Sequence, residues 1–242
     1  MEISFTDLAT AFKTITDTLP HPTDEAILVD VEVANLHVNP LTHRWTRTMV
    51  GSDWSPGGMG TENVNTLKAP LASDQLLKKG NIDGSTFAID HRIESDILQL
   101  LICYQIGDDP NAGFVVGCSV KFNTRSASKF VLLCDPQLHL IEEPGSANSI
   151  SEGDYWMLFK TVLGWPVALA AVPSKRGGNV PAGTYTQGES ESATITHGTP
   201  LVRQHAAWRV EAFMAPNDGN NYELRVIVSD KGQSIPADVI QS

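Results

Sequence analysis

Residues 206–229 constrain the fold of this chain more than any other part of the sequence. Two runs rich in β-forming residues flank a cluster of turn formers at residues 215–221, which is the pattern of an antiparallel hairpin. In the first run Val210 alternates with Arg209 and Glu211, and the second run has the same character. A period of two places successive side chains on opposite faces of a strand. The pattern therefore predicts a hairpin with one buried face and one face mostly in contact with water.

The same alternation recurs through most of the chain. In residues 26–38 apolar residues alternate with Asp30 and Glu32, which predicts a long strand whose acidic face points outward. Residues 97–106 form a nearly continuous apolar run, as in a buried strand. No helical pattern separates the strands, and parallel α/β folds need crossover helices. The sequence therefore predicts an all-β fold, an antiparallel two-sheet β-sandwich of jelly-roll type. Its predicted core includes Val29, Val31, Ile102, Cys103, Val115, Val210 and Val226.

A helix is predicted only at the N-terminus. Residues 4–19 carry a stripe of apolar side chains at helical spacing, Ser4 is in position to cap the first turn, and Pro20 stops the run. Residues 1–24 are therefore predicted to form an N-terminal helical arm. Residues 25–242 show no break in composition and no internal repeat, so they are predicted to form a single β-sandwich domain.

Two segments are predicted to be long loops. Residues 51–83 are rich in glycine and proline and form a long irregular excursion, and residues 173–183 have a similar composition. Loops of this length in compact domains are usually functional or form interfaces. Both segments are therefore expected to contribute to contacts with neighbouring molecules.

The charge of the chain excludes some classes of partner. The formal net charge is −11, and the 17 basic residues are scattered. Nucleic-acid-binding proteins normally carry a basic face or tail, so general nucleic-acid binding is not expected. The first residues lack the pattern of a signal peptide, and no apolar run is long enough for a membrane span. We expect a cytosolic origin and no membrane span.

The three cysteines are predicted to be buried free thiols. Cys103, Cys118 and Cys134 lie in apolar, strand-like runs. An odd number without a close pair disfavours a disulfide framework or a zinc site. A nucleophilic cysteine would need a nearby base and a polar environment, which the sequence does not indicate.

Other residues are of types that occur in catalytic or ligand-binding sites, but they lack the sequence spacing of such sites. The glycine-rich segment 57–61 lacks the lysine of a phosphate-binding loop. His91 lies beside Asp90, as a base oriented by a carboxylate would, but no nucleophile motif accompanies it. Five other histidines lack metal-site spacing: His37, His43, His139, His197 and His205. Acidic residues cluster at predicted turns, where solvation explains them: Asp108, Asp109, Glu142, Glu143, Glu189 and Glu191. The sequence therefore predicts no catalytic, cofactor-binding or metal-binding residue, and no cofactor.

The succession of strands resembles the jelly-roll capsid proteins of picorna-like viruses. The resemblance covers the whole chain in outline, and it is carried by residues 84–89, 97–104, 111–117, 155–159 and 165–169. It implies a structural subunit of an icosahedral capsid that encloses the genome, without enzymatic activity. The implied partners are other capsid subunits, with weak contact to genomic RNA and a host receptor. The implied location is the virion, after synthesis in the host cytoplasm.

Two alternatives remain open from the residues. A carbohydrate-binding β-sandwich, as in a lectin, would use loop residues such as Trp54 and the segment 217–221. An enzyme on a β-scaffold is the second alternative. The mass of the assembled particle would separate a shell subunit from a small lectin.

Overall fold

The computed structural model describes residues 26–50, 64–72, 75–90, 97–109, 112–123, 129–133, 172–173, 179–180, 190–194, 200–204, 207–216, 220–233 and 235–236. These residues form 14 strands, and no helix occurs among them. The predicted helical arm at residues 1–24 lies outside the described residues. In the described part of the chain, no helix is long and apolar enough to cross a membrane.

Most of the strands belong to two six-stranded sheets. Sheet A contains, in spatial order, β12 (Leu201–Gln204), β13 (Trp208–Pro216), β14 (Asn221–Asp230), β1 (Ala26–Asn35), β5 (Asn81–Asp90) and β3 (Asn65–Lys68). Sheet B contains β11 (Ser190–Thr194), β8 (Lys129–Leu133), β7 (Gly113–Lys121), β6 (Ile97–Ile106), β2 (Leu41–Val50) and β4 (Leu76–Leu77). The strands β9 (Val172–Pro173) and β10 (Asn179–Val180) form a separate two-stranded ribbon.

The first and last described strands pair with each other in the middle of sheet A. β1 runs parallel to β14, with Val31 opposite Leu224, and antiparallel to β5 on its other side. The predicted C-terminal hairpin is confirmed, because β13 and β14 pair antiparallel with Val210 opposite Val228. The prediction of antiparallel sheets is therefore right for every described pair except β1 and β14. The jelly-roll type of connection stays a prediction.

The two sheets share one hydrophobic core, which is the arrangement of a β-sandwich. Every second residue of the long strands points into it, as the period of two requires. The rings of Tyr104 and Phe114 stack within this core with their centroids 5.6 Å apart. The predicted core residues are all buried: Val29, Val31, Ile102, Cys103, Val115, Val210 and Val226. Two of them, Cys103 and Val115, lie on the opposite face of sheet B and are not part of the shared core.

The prediction that the hairpin and β1 each have one face in contact with water is wrong. Glu211, Phe213 and Arg225 lie on the face of sheet A that points away from the shared core, and all three are buried. Asp30 and Glu32, which were expected to point outward into solvent, are buried on the same face. Alternation of polar and apolar residues separates two faces by chemistry, but it does not decide whether the polar face meets water. Charged side chains can be buried when they are paired.

The two predicted loop segments contain strands. Within residues 51–83 the structure describes β3, β4 and the beginning of β5, so an irregular excursion is wrong for those residues. Within residues 173–183 the ribbon of β9 and β10 includes Pro173, Asn179 and Val180. Strands of so few residues are too short to show a period of two, so they could not be recognised within segments rich in glycine and proline. The expected contacts with neighbouring molecules stay a prediction.

Two of the three cysteines can be described, and both are buried free thiols as predicted. Burial raises the pKa of Cys103 to about 12 and raises the pKa of Cys118 further. Because the thiolate is the reactive form of cysteine, neither side chain is suited to nucleophilic chemistry. Cys134 lies outside the described residues.

A close approach of two strands makes Gly117 a test of the packing of sheet B. A Cβ atom at this position would collide with the carbonyl oxygen of Leu100 and the side chain of Leu101 on β6. We expect Gly117→Ala to lower the free energy of unfolding by about 1–3 kcal/mol, because overpacking forces neighbouring atoms apart. Ser119→Ala, two residues along the same strand, is the control and should change it by less than about 1 kcal/mol. Denaturant unfolding measures both, and equal stability of the glycine variant and wild type would contradict this packing.

Candidate functional site

Four charged side chains lie together on the face of sheet A that points away from the shared core: Asp30, Glu32, Glu223 and Arg225, the ionic cluster. They come from β1 and β14, the two parallel strands. The register places Glu32 opposite Arg225 and Asp30 opposite Glu223. The cluster therefore lies directly across the ladder that joins the first and last described strands.

One guanidinium group serves two carboxylates of the ionic cluster. Arg225 Nε donates to Glu32 Oε2 at 3.3 Å, and Arg225 Nη2 donates to Glu223 Oε2 at 2.9 Å. Asp30 is 7% exposed, whereas Glu32 and Arg225 are each 3% exposed. Burial removes most of the water that would otherwise stabilise these charges, so the pairing with Arg225 offsets a desolvation cost.

Burial shifts the ionisation of two carboxyl groups in this cluster. Loss of solvent raises the pKa of Asp30 from 3.8 to about 7; a hydrogen bond from Thr86 opposes the shift, and the charge of Glu223 adds to it. Loss of solvent also raises the pKa of Glu32 from 4.5 to about 8, although the charge of Arg225 opposes this. Asp30 Oδ1 and Glu32 Oε1 are buried oxygens that have no hydrogen-bond partner among the described residues. Both groups are therefore suited to holding a proton near neutral pH.

The ionic cluster does not have the construction of a metal centre or of an accessible acid–base pair. Among the described residues, no group of three histidine, cysteine or carboxylate side chains is placed to hold a metal ion. A carboxyl group with a pKa near neutrality can act as a general acid or base, but it must reach the substrate. Asp30 and Glu32 are almost out of contact with solvent. The pKa shifts are explained by burial within the fold.

A second polar network fixes the loop between β1 and β2. Asn35 Nδ2 donates to the carbonyl oxygens of Asn39 and Leu77 at 2.9 and 2.8 Å, and Asn35 Oδ1 accepts from the backbone N–H of His37 at 2.9 Å. His37 Nδ1 accepts from the backbone N–H of Asn39 at 3.1 Å. In the neutral ring Nε2 therefore carries the hydrogen, and it faces Asp230 Oδ1 at 3.4 Å. The network joins β1, β4 and β14 at one end of the sandwich.

Two tyrosines connect the sheets through hydrogen bonds. Tyr104 of β6 donates its hydroxyl proton to Asp83 Oδ2 of β5 at 2.5 Å, and the same oxygen accepts from the backbone N–H of Leu71 at 3.1 Å. Burial and the negative charge of Asp83 both raise the pKa of Tyr104, so its hydroxyl stays protonated. At the opposite end of the sandwich, Tyr222 of β14 donates to the carbonyl oxygen of Lys121 of β7 at 3.3 Å.

An asparagine pair lies beside the second of these tyrosines. Asn123 follows β7, Asn220 precedes β14, and the backbone N–H of Asn123 donates to Asn220 Oδ1 at 2.8 Å. Asn220 Nδ2 points back to Asn123 Oδ1 at 3.5 Å. Asn123 has a positive φ of 53°, a conformation that asparagine adopts more readily than most residues. The Asn123 side chain is exposed and that of Asn220 is half-buried. The pair therefore presents two amide groups to solvent from two different sheets.

The residues considered from the sequence are only partly brought together. Asp108 and Asp109 are exposed at the turn after β6, as expected for acidic residues that are solvated. His37 takes part in the loop network. Asn220 and Asn221 are the described part of the segment proposed for carbohydrate binding. Further candidates lie outside the described residues: Trp54, His91, His139, Glu142, Glu143, Glu189, His197, His205 and the segment 57–61.

The ionic cluster was missed by the sequence analysis. Opposite charges on two predicted strands, Glu32 and Arg225, were a possible signal, but pairing across 193 residues of sequence cannot be deduced from one chain.

No protein-family model matches the sequence, and no curated protein matches it. Solved structures similar to this chain include the wild-type lectin XCL of Xerocomus chrysenteron, with 11% identity over 84% of this chain and 99% of the lectin, at a TM-score of 0.35. They also include the lipid-binding protein Nakanori, with 11% identity over 93% of this chain and 80% of that protein, at a TM-score of 0.33. TM-scores this low do not establish a shared fold, and no conclusion about this chain rests on them.

The two inter-sheet tyrosines give a matched pair of stability variants. We expect Tyr104→Phe to lower the free energy of unfolding by about 1.5–3 kcal/mol, because it removes a buried hydrogen bond to a charged acceptor. Tyr222→Phe removes a longer bond to a neutral carbonyl and should cost about 0.5–1.5 kcal/mol. Thermal or denaturant unfolding at pH 7 compares the two variants. A larger loss for Tyr222→Phe would contradict the role given to the Tyr104–Asp83 bond.

Proposed function

We propose that this protein is a carbohydrate-binding β-sandwich that uses the asparagine pair, Asn123 and Asn220, as part of its binding surface. The observation that carries the proposal is the meeting of two solvent-facing amide side chains from different sheets at one end of the sandwich. The name of the lectin XCL states the same kind of function, but the proposal depends on the asparagine pair alone.

The surroundings of the pair hold it in a fixed position. The carbonyl oxygen of Asn220 accepts from the backbone N–H of Leu28 at 3.2 Å, which ties the turn to β1. The bond between Tyr222 and Lys121 joins the same two strand ends. A polar side chain on a turn that is anchored to a rigid sheet loses little freedom on binding, which favours affinity.

Both amides keep unused hydrogen-bonding capacity. An asparagine side chain offers two donor hydrogens and two acceptor lone pairs. Among the described residues, the Asn123 side chain has Asn220 as its one partner, through its oxygen, and none of these residues accepts a hydrogen from Asn123 Nδ2. Neighbouring hydroxyl groups on a sugar ring both donate and accept, so they match an amide group. This chemistry supports binding of a neutral, hydroxyl-rich ligand.

The proposal assigns binding without catalysis. Assembly into an icosahedral capsid stays a separate prediction, together with its jelly-roll connections, its partner subunits, its RNA contact, its host receptor and its virion location. Light scattering of the purified chain separates the two functions. A lectin-like module stays small, whereas shell subunits form megadalton particles with their partners.

The test is binding of the intact chain to a glycan array, followed by calorimetric titration of the oligosaccharide that binds most strongly. We expect Asn123→Gly to weaken this affinity by about tenfold, because it removes one or two hydrogen bonds worth about 1–2 kcal/mol together. Glycine is chosen because it accepts the positive φ at this position without strain.

Asn81→Ala is the control for this titration. Asn81 is an exposed asparagine at the opposite end of the sandwich, so its removal should leave the affinity unchanged. Failure of the wild-type chain to bind any glycan on the array would overturn the proposal. An equal loss of affinity in the control variant would move the binding surface away from the asparagine pair.

A further inference from the structure

The ionic cluster combines three features that ordinary structural ion pairs do not need. It contains three carboxyl groups and one guanidinium group, three of its members (Asp30, Glu32 and Arg225) are buried, and it spans the parallel ladder between β1 and β14. This ladder joins the first described strand to the last one, so it closes the central part of sheet A over a long separation in sequence.

Two buried oxygens of the cluster lack a hydrogen-bond partner in the part of the chain that the structure describes. Asp30 Oδ1 and Glu32 Oε1 are on neighbouring positions of one face of β1. An ionised carboxylate with an unpaired buried oxygen is costly, whereas a protonated carboxyl group loses much of that cost. The unpaired oxygens therefore favour the neutral form of both groups, and at Glu32 this effect opposes the charge of Arg225, which favours the ionised form.

The other charged groups on this face offset only part of the cost of burying Asp30 and Glu32 as ionised carboxylates. Arg225 contacts Glu32 and Glu223 from β14, and the charge of Lys68 from β3 acts on Asp30. β5 contributes Thr86 next to Asp30, and Asp90 at its end. β13 contributes Arg209 and Glu211, which pair with each other at 2.7 Å.

We propose that protons held by Asp30 and Glu32 control the closure of sheet A: the β1–β14 ladder is tight while these groups are protonated and loosens when they lose their protons. The fold thereby contains a pH-sensitive element that weakens progressively as the pH rises from mildly acidic values to about pH 8. The element is located at the pairing of the first and last described strands and not in the sandwich as a whole.

The sign of the effect follows from the pKa values of the two groups. In the folded chain these values are raised, to about 7 for Asp30 and about 8 for Glu32, from ordinary values of 3.8 and 4.5. Below the ordinary values both the folded and the unfolded chain are protonated, and the contribution to stability is fully present. It is lost progressively as the pH rises, and the loss is complete above about pH 8.

The test is hydrogen exchange of the intact chain, with protection factors measured at about pH 5.5 and about pH 8.5. In wild type, we expect amides of β1 and β14 to lose at least about tenfold in protection over this range, while amides of β6 and β7 keep theirs. The double variant Asp30→Asn/Glu32→Gln carries permanently neutral side chains, so it should show no such loss.

Two further variants keep the test decisive. Asp30→Asn alone leaves the pairing of Glu32 with Arg225 intact, and it should reduce the pH-dependent loss even if the double variant folds poorly. Asp108→Asn removes an exposed carboxylate at a turn and should behave as wild type. The proposal is overturned if wild type and Asp30→Asn lose protection equally, or if β6 and β7 lose as much protection as β1 and β14.

Discussion

The parallel pairing of β1 and β14 is the constraint on which the rest of sheet A depends. β1 lies between β14 and β5, so it joins the C-terminal hairpin to the strands that precede β6. On one face the ladder packs valines and leucines into the core shared with sheet B. On the other face it carries the ionic cluster, where Arg225 contacts Glu32 and Glu223. The same backbone ladder therefore combines the favourable burial of apolar side chains with the costly burial of charged groups.

Polar contacts at the two ends of the sandwich fix the position of one sheet over the other, which apolar packing alone does not determine. Burial of apolar area is not directional, and it does not decide how one sheet is positioned over another. Hydrogen bonds are directional, and Tyr104 and Tyr222 supply one near each end. The asparagine pair and the loop network around Asn35 then fix turns at opposite ends. The same contacts hold in place the turn that carries the proposed binding surface.

Much of the fold could be predicted from the sequence because strand periodicity is a local property. The buried strand β6 was found by its nearly continuous apolar run, and the C-terminal hairpin was found by its alternation and by the turn formers between β13 and β14. The parallel partner of β1 and the pairing of Glu32 with Arg225 could not be found, since they join residues 193 positions apart. Asp30 was predicted to be exposed but is buried. Alternation shows which residues are polar, but it does not show whether water reaches them. Of the proposed site, Asn220 lay in a segment considered from the sequence, whereas Asn123 gave no signal.

The central claim is that Asp30 and Glu32 are buried on the second face of sheet A and lose their protons only near neutral pH or above it. Carbon-13 NMR titration of the carboxyl groups in the intact chain tests it directly, with signals assigned by their loss in Asp30→Asn and Glu32→Gln. We expect midpoints of about 7 for Asp30 and about 8 for Glu32. Midpoints at the ordinary values of 3.8 and 4.5 would show that water reaches this face, and they would contradict both the burial of the ionic cluster and its control of the β1–β14 ladder.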